Sequence, residues 1–187
     1  ILIFLFVDKS LSAQAYDSNL TSKDDGISDS LYLDSLYNLS YDLSFYDLDS
    51  ALLVTEEFLS FSRKKNDLNI ELGMTNKGYL NTQIGNQKTA LDCFFYVLKL
   101  GEDKGDSTLV SQAYNDIAMA YMEFREYEKA LYYIENSLQI SRSQNDLKSI
   151  SLTLNNYGLV FLYLENYEKA SEVFNLSLIH ISEPTRP

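Results

Sequence analysis

A period of about 40 residues, the range typical of helical repeat arrays, organises most of this sequence. The segment 114–140 nearly reappears one period later as 154–178, and it recurs more faintly one period earlier as 74–100. Three sets of residues fall in register: Gly78, Ala118 and Gly158; Ala90, Ala130 and Ala170; Phe94, Ile134 and Phe174. A fixed period of this length is the sequence signature of stacked structural repeats. The chain is therefore predicted to fold as an array of similar units.

The small residues within each unit predict an antiparallel pair of helices. Ala118 precedes Ala130 by twelve positions with a turn between them, so the two are expected on facing helices. Small side chains at a helix crossing let the two axes approach to about 8–10 Å. Bulky residues are expected to fill the space between the layers: Tyr121, Tyr127, Ile134, Phe161, Tyr167 and Phe174. The predicted fold class is all-α, an α-solenoid of helix-turn-helix repeats.

The pattern of bulky and small residues resembles the tetratricopeptide repeat family. The third unit carries it at Tyr114, Ile117-Ala118, Tyr121, Ala130, Ile134 and Ser137, and the fourth at Leu154, Tyr157-Gly158, Phe161, Ala170, Phe174 and Ser177. The second unit is weaker, because Lys77 and Asn81 replace expected apolar residues. The resemblance implies about four repeats, at 30–65, 66–104, 105–144 and 145–178, within a solenoid over 30–176.

Polar residues before each unit predict where its first helix begins. Asn66-Asp67, Asp106-Ser107 and Asn145-Asp146 each precede an apolar stretch, and an Asp or Asn there caps the first turn of a helix. The helices are expected at 30–44, 47–63, 67–84, 87–101, 107–124, 127–142, 147–164 and 167–180.

The two ends differ from the repeats. Ile1–Val7 is apolar and Ala13-Gln14-Ala15 is a small-x-small site, which together indicate a signal peptide over 1–15, truncated at its front; a buried first helix is the alternative. Residues 16–29 have few apolar anchors and are interpreted as a flexible leader. Leu176–Arg186 resembles the translation of a transposase-type sequencing adapter, so 177–187, with the only histidine, His180, is interpreted as a non-native tail.

The charge distribution argues against nucleic acid as a partner. The net charge is −12, and ten acidic residues stand against Lys23 alone between Tyr16 and Ser62. A protein that binds nucleic acid must neutralise phosphates with Lys and Arg. Anionic lipid is disfavoured for the same reason. The sequence also lacks an apolar run of about 20 residues, so no membrane-spanning helix is expected in it.

The sequence contains no recognisable catalytic or metal-binding motif. Without a histidine outside the tail, a His-based triad or a His metal ligand is not expected, and neither an enzyme nor a cofactor is predicted. The adjacent acids Asp24-Asp25 and Glu56-Glu57 are interpreted as solvated, since neighbouring positions do not share a helix face. Cys93 is predicted to be buried as a small hydrophobe. The tyrosines are assigned to packing: Tyr114, Tyr121, Tyr127, Tyr157 and Tyr167.

A surface is the remaining candidate site. In the tetratricopeptide repeat family, the first helix of each unit lines a concave groove. The resemblance to that family implies that nine residues lie there: Thr75, Asn76, Tyr79, Asn115, Asp116, Met119, Asn155, Asn156 and Leu159. Asn76, Asp116 and Asn156 form a row, each one period from the next, and amides can both donate to and accept from a peptide backbone. The alternative is that these amides bind neighbouring helices. The basic residues with which some family members bind a terminal carboxylate are missing, so that ligand is not expected.

These observations lead to a functional hypothesis. The chain is interpreted as a module that binds a protein or peptide, in the exported, N-terminal sensory part of a bacterial envelope signalling protein. It resembles repeat regions that precede a membrane helix and a histidine kinase or DNA-binding regulator. It would lie in the periplasm, either free or tethered through a C-terminal part. The alternative is a free-standing periplasmic scaffold that organises an envelope complex. The oligomeric state and the ligand are left open.

Overall fold

The computed structural model describes residues 28–182, with side chains through Ser177. This part of the chain contains eight α-helices: α1 (Asp29–Leu43), α2 (Leu48–Lys64), α3 (Ile70–Ile84), α4 (Gln87–Lys104), α5 (Ser107–Glu123), α6 (Tyr127–Ser143), α7 (Leu147–Tyr163) and α8 (Tyr167–Ser182). Each begins and ends within three residues of its predicted bounds. The predicted all-α solenoid of helical repeats is confirmed. The predicted signal peptide and most of the leader lie outside the described residues.

The repeats stack so that the odd-numbered helices lie side by side. Each helix packs on the next along the chain, and contacts also join α1 to α3, α3 to α5 and α5 to α7. Within residues 28–182, the even-numbered helices make no comparable contacts with one another. The array therefore curves with the odd-numbered helices on its inner side, as in other helical solenoids.

Paired small and large residues set the fit inside each repeat. A Cβ atom built on Gly78 would lie 2.5 Å from the Phe94 ring, and one on Gly158 would lie 2.5 Å from the Phe174 ring. Ala90, Ala130 and Ala170 are also buried, with at most 1% of their surface exposed. The first small residue of a repeat thus accommodates the large residue sixteen positions later.

The core consists of two apolar clusters. The larger runs through α4 to α8 and contains Phe94, Ile117, Ile134, Leu154 and Val160. The smaller joins α1 and α2 to the start of α3. Its members are Leu33, Leu36, Phe58, Leu59 and Ile70. Met74 packs against both clusters and links them.

The helix starts follow the predicted caps at two of the three boundaries. Asp106 accepts backbone hydrogen bonds at the start of α5, from Thr108 at 3.1 Å and Leu109 at 3.0 Å. Asp146 accepts from the Ser149 backbone N–H at 3.1 Å at the start of α7.

The third boundary was predicted wrongly. Asn66, Asp67 and Asn69 all have left-handed backbone conformations, and α3 begins only at Ile70. Ser62 Oγ donates to the Leu68 carbonyl at 2.6 Å, which holds this longer turn against the end of α2. Asp67 therefore caps no helix.

The aromatic assignments hold for most residues. Tyr121 is buried, Tyr114, Tyr127 and Tyr157 are half-buried, and Cys93 is 3% exposed as predicted. Tyr167 is the exception, with 66% of its surface exposed. Its repeat equivalent Tyr127 stacks on Tyr163 of the following repeat, at 5.8 Å between ring centroids, and Tyr167 has no such ring beside it in residues 28–177.

Candidate functional site

The nine predicted groove residues lie on the inner helices, three each on α3, α5 and α7. Their exposure falls into three groups. The amides Asn76, Asn115 and Asn156 are buried; Thr75, Asp116, Met119 and Leu159 are half-buried; Tyr79 and Asn155 are exposed. The nine residues lie on the same side of the array, and fewer of them reach its surface than the family resemblance implied.

Asn76 is engaged within the array. Its Nδ2 donates to Ser40 Oγ at 2.8 Å and to Thr55 Oγ1 at 3.0 Å, which ties α3 to α1 and α2. The two hydroxyls also bond each other at 2.7 Å. This buried network is a connection between the first and second repeats.

Asn156 makes a similar connection between the third and fourth repeats. Its Nδ2 donates to Asn115 Oδ1 at 3.0 Å, from α7 to α5. Buried amides need such partners, because an unpaired one keeps its full desolvation cost. For Asn76 and Asn156, the geometry therefore favours the alternative in which they bind neighbouring helices.

Asp116 has a different environment from the amides in its row. Its Oδ1 accepts a hydrogen bond from the Tyr79 hydroxyl, which links α5 to α3. Burial raises the pKa of the Asp116 carboxyl to about 7, although the bond from Tyr79 lowers it. Tyr79 is exposed as a residue, but loss of solvent around its hydroxyl, followed by the nearby Asp116 charge, raises the pKa of that hydroxyl as well. Asp116 is thus a half-buried carboxyl whose charged form is disfavoured relative to an ordinary aspartate.

A cleft of about 350 Å³ opens between α3 and α5, beside Asp116. Thr75 and Asp116 are the two predicted groove residues that line it. The other lining residues are Asn69, Glu71, Leu72, Val97, Leu109, Gln112 and Ala113. The structure thus brings Thr75 and Asp116 together on facing helices, with an apolar floor between them.

The additional lining residues were not identified from the sequence. Gln112 lies four positions before Asp116, and Leu72 lies three before Thr75, so each shares a helix face with a predicted residue. Extending the predicted face by one helical turn toward the start of α3 and α5 would have found these two residues.

Glu71 marks a break in the repeat pattern at this cleft. The equivalent positions in the next two repeats are Ser111 and Ser151. Each serine bonds a partner on the second helix of its repeat, Ser111 to Ser137 and Ser151 to Ser177, both at 3.1 Å between hydroxyl oxygens. The second repeat has Glu71 and Val97 at these positions instead.

The Glu71 carboxylate is incompletely partnered. Its Oε2 atom is buried and accepts no hydrogen bond from residues 28–177. The nearest cation is the half-exposed Lys104, whose Nζ lies 3.5 Å from that oxygen as a long ion pair. The second repeat therefore places a carboxylate in the cleft where its neighbours have paired hydroxyls.

A second cleft, of about 420 Å³, lies between α6 and α7. Its lining includes Glu135, Arg142 and Tyr157, and the Tyr157 hydroxyl already donates to Glu135 at 3.0 Å. It contains no predicted groove residue. We therefore take the α3–α5 cleft as the candidate site.

Two further properties of the described residues bear on function. In residues 28–182, no group of three His, Cys, Asp or Glu side chains is placed to hold a metal ion. No helix of that part of the chain is long and apolar enough to cross a membrane.

Comparison with known proteins identifies the repeat type. Residues 109–178 match the model of the family described as tetratricopeptide repeat. No curated protein sequence matches the chain. Among solved structures, the chain is similar to BtubC (BKLC) from P. vanneervenii, with a TM-score of 0.67, 18% identity, and coverage of 95% of this chain and 75% of that one.

Two other solved structures have the same architecture. The apo form of RapI matches with a TM-score of 0.70 and 17% identity, over 91% of this chain and 62% of RapI. The MamA RS-1 ArsTM double mutant matches with a TM-score of 0.55 and 15% identity, over 89% of this chain and 80% of that one. At these identities the likeness concerns the fold.

Proposed function

Because residues 109–178 match the tetratricopeptide repeat family, we propose that this chain binds an extended peptide segment of a partner protein along its inner helices. A protein-interaction repeat domain is the general function that this repeat fold supports. The proposed activity of the chain is binding, without catalysis. The cleft between α3 and α5 is the single observation that carries the position of the site.

The cleft has the chemical groups that an extended peptide needs. Leu72 and Leu109, both half-buried, offer an apolar surface to a side chain. Thr75 and Gln112, on opposite walls, offer a hydroxyl and an amide to backbone N–H and C=O groups. A peptide that lies across α3 and α5 would contact both kinds of group at once.

The test is selection of peptides from a random library on the intact chain, followed by mapping of the selected peptides. Gln112→Arg places a long cation at an exposed cleft position and is expected to abolish binding of most selected peptides. Ser171→Arg makes the same charge change at an exposed position on α8 and serves as the control. Selected peptides that bind both variants like the wild type would refute the groove as the site.

We further propose that the chain acts in the bacterial envelope, as the sensory part of a signalling protein. The support is the pattern of residues 1–15, an apolar run followed by Ala13-Gln14-Ala15. Expression behind a restored start in a Gram-negative host, with sequencing of the mature N-terminus, tests export. A protein retained in the cytoplasm with Ile1 attached would refute it.

The signalling role has a separate test. The intact gene is expected to encode a membrane helix followed by a kinase or DNA-binding domain after the repeats. A stop codon soon after the repeats would instead favour a periplasmic scaffold.

A further inference from the structure

We propose that the α3–α5 cleft recognises a basic side chain, lysine or arginine, of the bound peptide, with Asp116 and Glu71 as the acceptors. This inference rests on the proposed function, because it names the partner class of the same groove. It is carried by the cleft, by its two carboxylates on facing helices and by the few partners of these carboxylates in residues 28–177. Asp116 has no ion pair there, and Glu71 Oε2 has no hydrogen bond and only the 3.5 Å ion pair with Lys104.

Asp116 is the first acceptor. Within residues 28–177, no lysine or arginine nitrogen lies within 4.0 Å of its carboxylate. Its bond from the Tyr79 hydroxyl occupies Oδ1, and the carboxylate has acceptor capacity beyond that one bond. Burial raises the pKa of this carboxyl to about 7, although the bond from Tyr79 lowers it. A bound ammonium or guanidinium would supply the missing charge.

Glu71 is the second acceptor. Its buried Oε2 has no hydrogen-bond donor and only the long contact to Lys104. The Lys104 side chain, at the end of α4, is 49% exposed. An incoming cation would therefore compete with Lys104 for this oxygen. Removal of the Lys104 charge is therefore expected to raise the affinity of the cleft for a basic side chain.

The floor of the cleft fits the stem of a basic side chain. Leu72 and Leu109, both half-buried, line the same cleft as the two carboxylates. Lys and Arg bury their methylene stems along apolar surface while their charged heads reach polar groups. A polyamine can also place methylenes on this surface, but a peptide adds apolar side chains beside the basic one, and the peptide is therefore the favoured ligand.

The experiment uses the full chain labelled with ¹⁵N and two acetylated, amidated pentapeptides, Ala-Leu-Lys-Leu-Ala and the same peptide with norleucine for lysine. Chemical shifts are followed during titration at pH 8. The lysine peptide is expected to shift amides of α3 and α5 and to bind about fivefold more tightly than the norleucine peptide, as a charge-assisted contact allows.

Variants assign the preference to the two acids. Glu71→Gln with Asp116→Asn is expected to abolish the preference for lysine, whereas Glu172→Gln, at an exposed site on α8, is expected to retain it. Lys104→Gln is expected to strengthen binding of the lysine peptide. Lys99→Gln removes the same charge from an exposed position on the same helix and is expected to have little effect.

The outcomes separate this inference from the proposed function. Equal affinity for the two peptides, or a preference that survives the double substitution, overturns the recognition of a basic side chain and leaves peptide binding intact. No shift with either peptide overturns both. Spermidine, titrated in parallel, is expected to bind more weakly than the lysine peptide; equal or tighter binding assigns the cleft to a polyamine and overturns the peptide assignment.

Discussion

Gly158 on α7 lies directly against the ring of Phe174 on α8, so close that a Cβ atom at Gly158 would be 2.5 Å from Cε1 of that ring. The second repeat has the same relationship between Gly78 and Phe94. The third repeat has Ala118 and Ile134 in these positions. A larger residue on the first helix thus accompanies a smaller one on the second. The combined volume of the two side chains, rather than either side chain alone, is what has to fit between the helices.

Gly158→Ala is expected to destabilise the chain, because overpacking costs about 1–3 kcal/mol and the helical preference for Ala over Gly returns only about 0.5–1 kcal/mol. Adding Phe174→Ile reproduces the pair of the third repeat. The loss of unfolding free energy in the double variant is expected to be smaller than the sum of the losses in the two single variants, by at least about 0.5 kcal/mol. Urea unfolding of all four proteins measures this coupling. Additive effects would contradict the assigned fit.

Asn76→Ala is expected to destabilise the chain by about 1–3 kcal/mol, since Asn76 is buried and donates to Ser40 and Thr55. Asn155→Ala is the matched control, because Asn155 is exposed on α7. Its effect is expected to stay within about 0.5 kcal/mol. Thermal or urea unfolding checks both. Equal effects of the two variants would show that the Asn76 network contributes nothing to stability.

The stability of the Asp116→Asn variant is expected to increase relative to that of the wild type as the pH rises. The folded pKa of Asp116 is raised from 3.8 to about 7, so the folded state binds the proton more tightly than the unfolded state. The stability linked to this proton is fully present below pH 3.8 and is lost as the pH rises toward about 7. An Asn side chain avoids that loss.

The measurement is urea unfolding of both proteins at pH 5 and pH 8. Other carboxylates titrate alike in the two proteins, so their contributions cancel in the difference. A difference in unfolding free energy that is the same at both pH values would contradict a raised pKa at Asp116.

Cys93 is expected to react slowly with a thiol reagent in the folded protein. It is 3% exposed, and burial raises the pKa of its thiol to about 11, although Lys77 nearby lowers it. The reactive thiolate is therefore scarce and shielded at pH 8. Reaction with a chromogenic disulfide, followed with and without denaturant, checks this. Equal rates in both conditions would place Cys93 at the surface.

The sequence predicts the helices well because its period repeats the packing geometry itself. Small residues such as Ala130 and Gly158 have to lie where two helices meet, and the chain between the small residues of one repeat has room for only one turn. The turn after α2 was missed because Asn66, Asp67 and Asn69 take left-handed conformations, and the side chains alone do not distinguish such a turn from a helix cap.

The groove was predicted less completely than the helices. The period indicates which helix face Asn76 and Asn156 occupy, but their hydrogen-bond partners come from neighbouring repeats at non-equivalent positions, Ser40 for one and Asn115 for the other. Glu71 was missed for the opposite reason. The equivalent residue in the next two repeats is serine, so Glu71 does not recur with the period. A method that looks for recurring residues does not identify it.

The division of the core into two clusters has a consequence for local opening. Phe58 and Leu59 belong to a cluster whose buried members extend only to the start of α3, and the half-buried Met74 joins it to the larger cluster. Leu100 of α4 is a further partly buried contact of the smaller cluster. In a linear array, an end unit can unfold while its neighbours persist, since each repeat contacts only adjacent ones. Backbone amides of α1 and α2 are therefore expected to exchange with deuterium sooner than those of α5 and α6, through an opening that costs less than global unfolding.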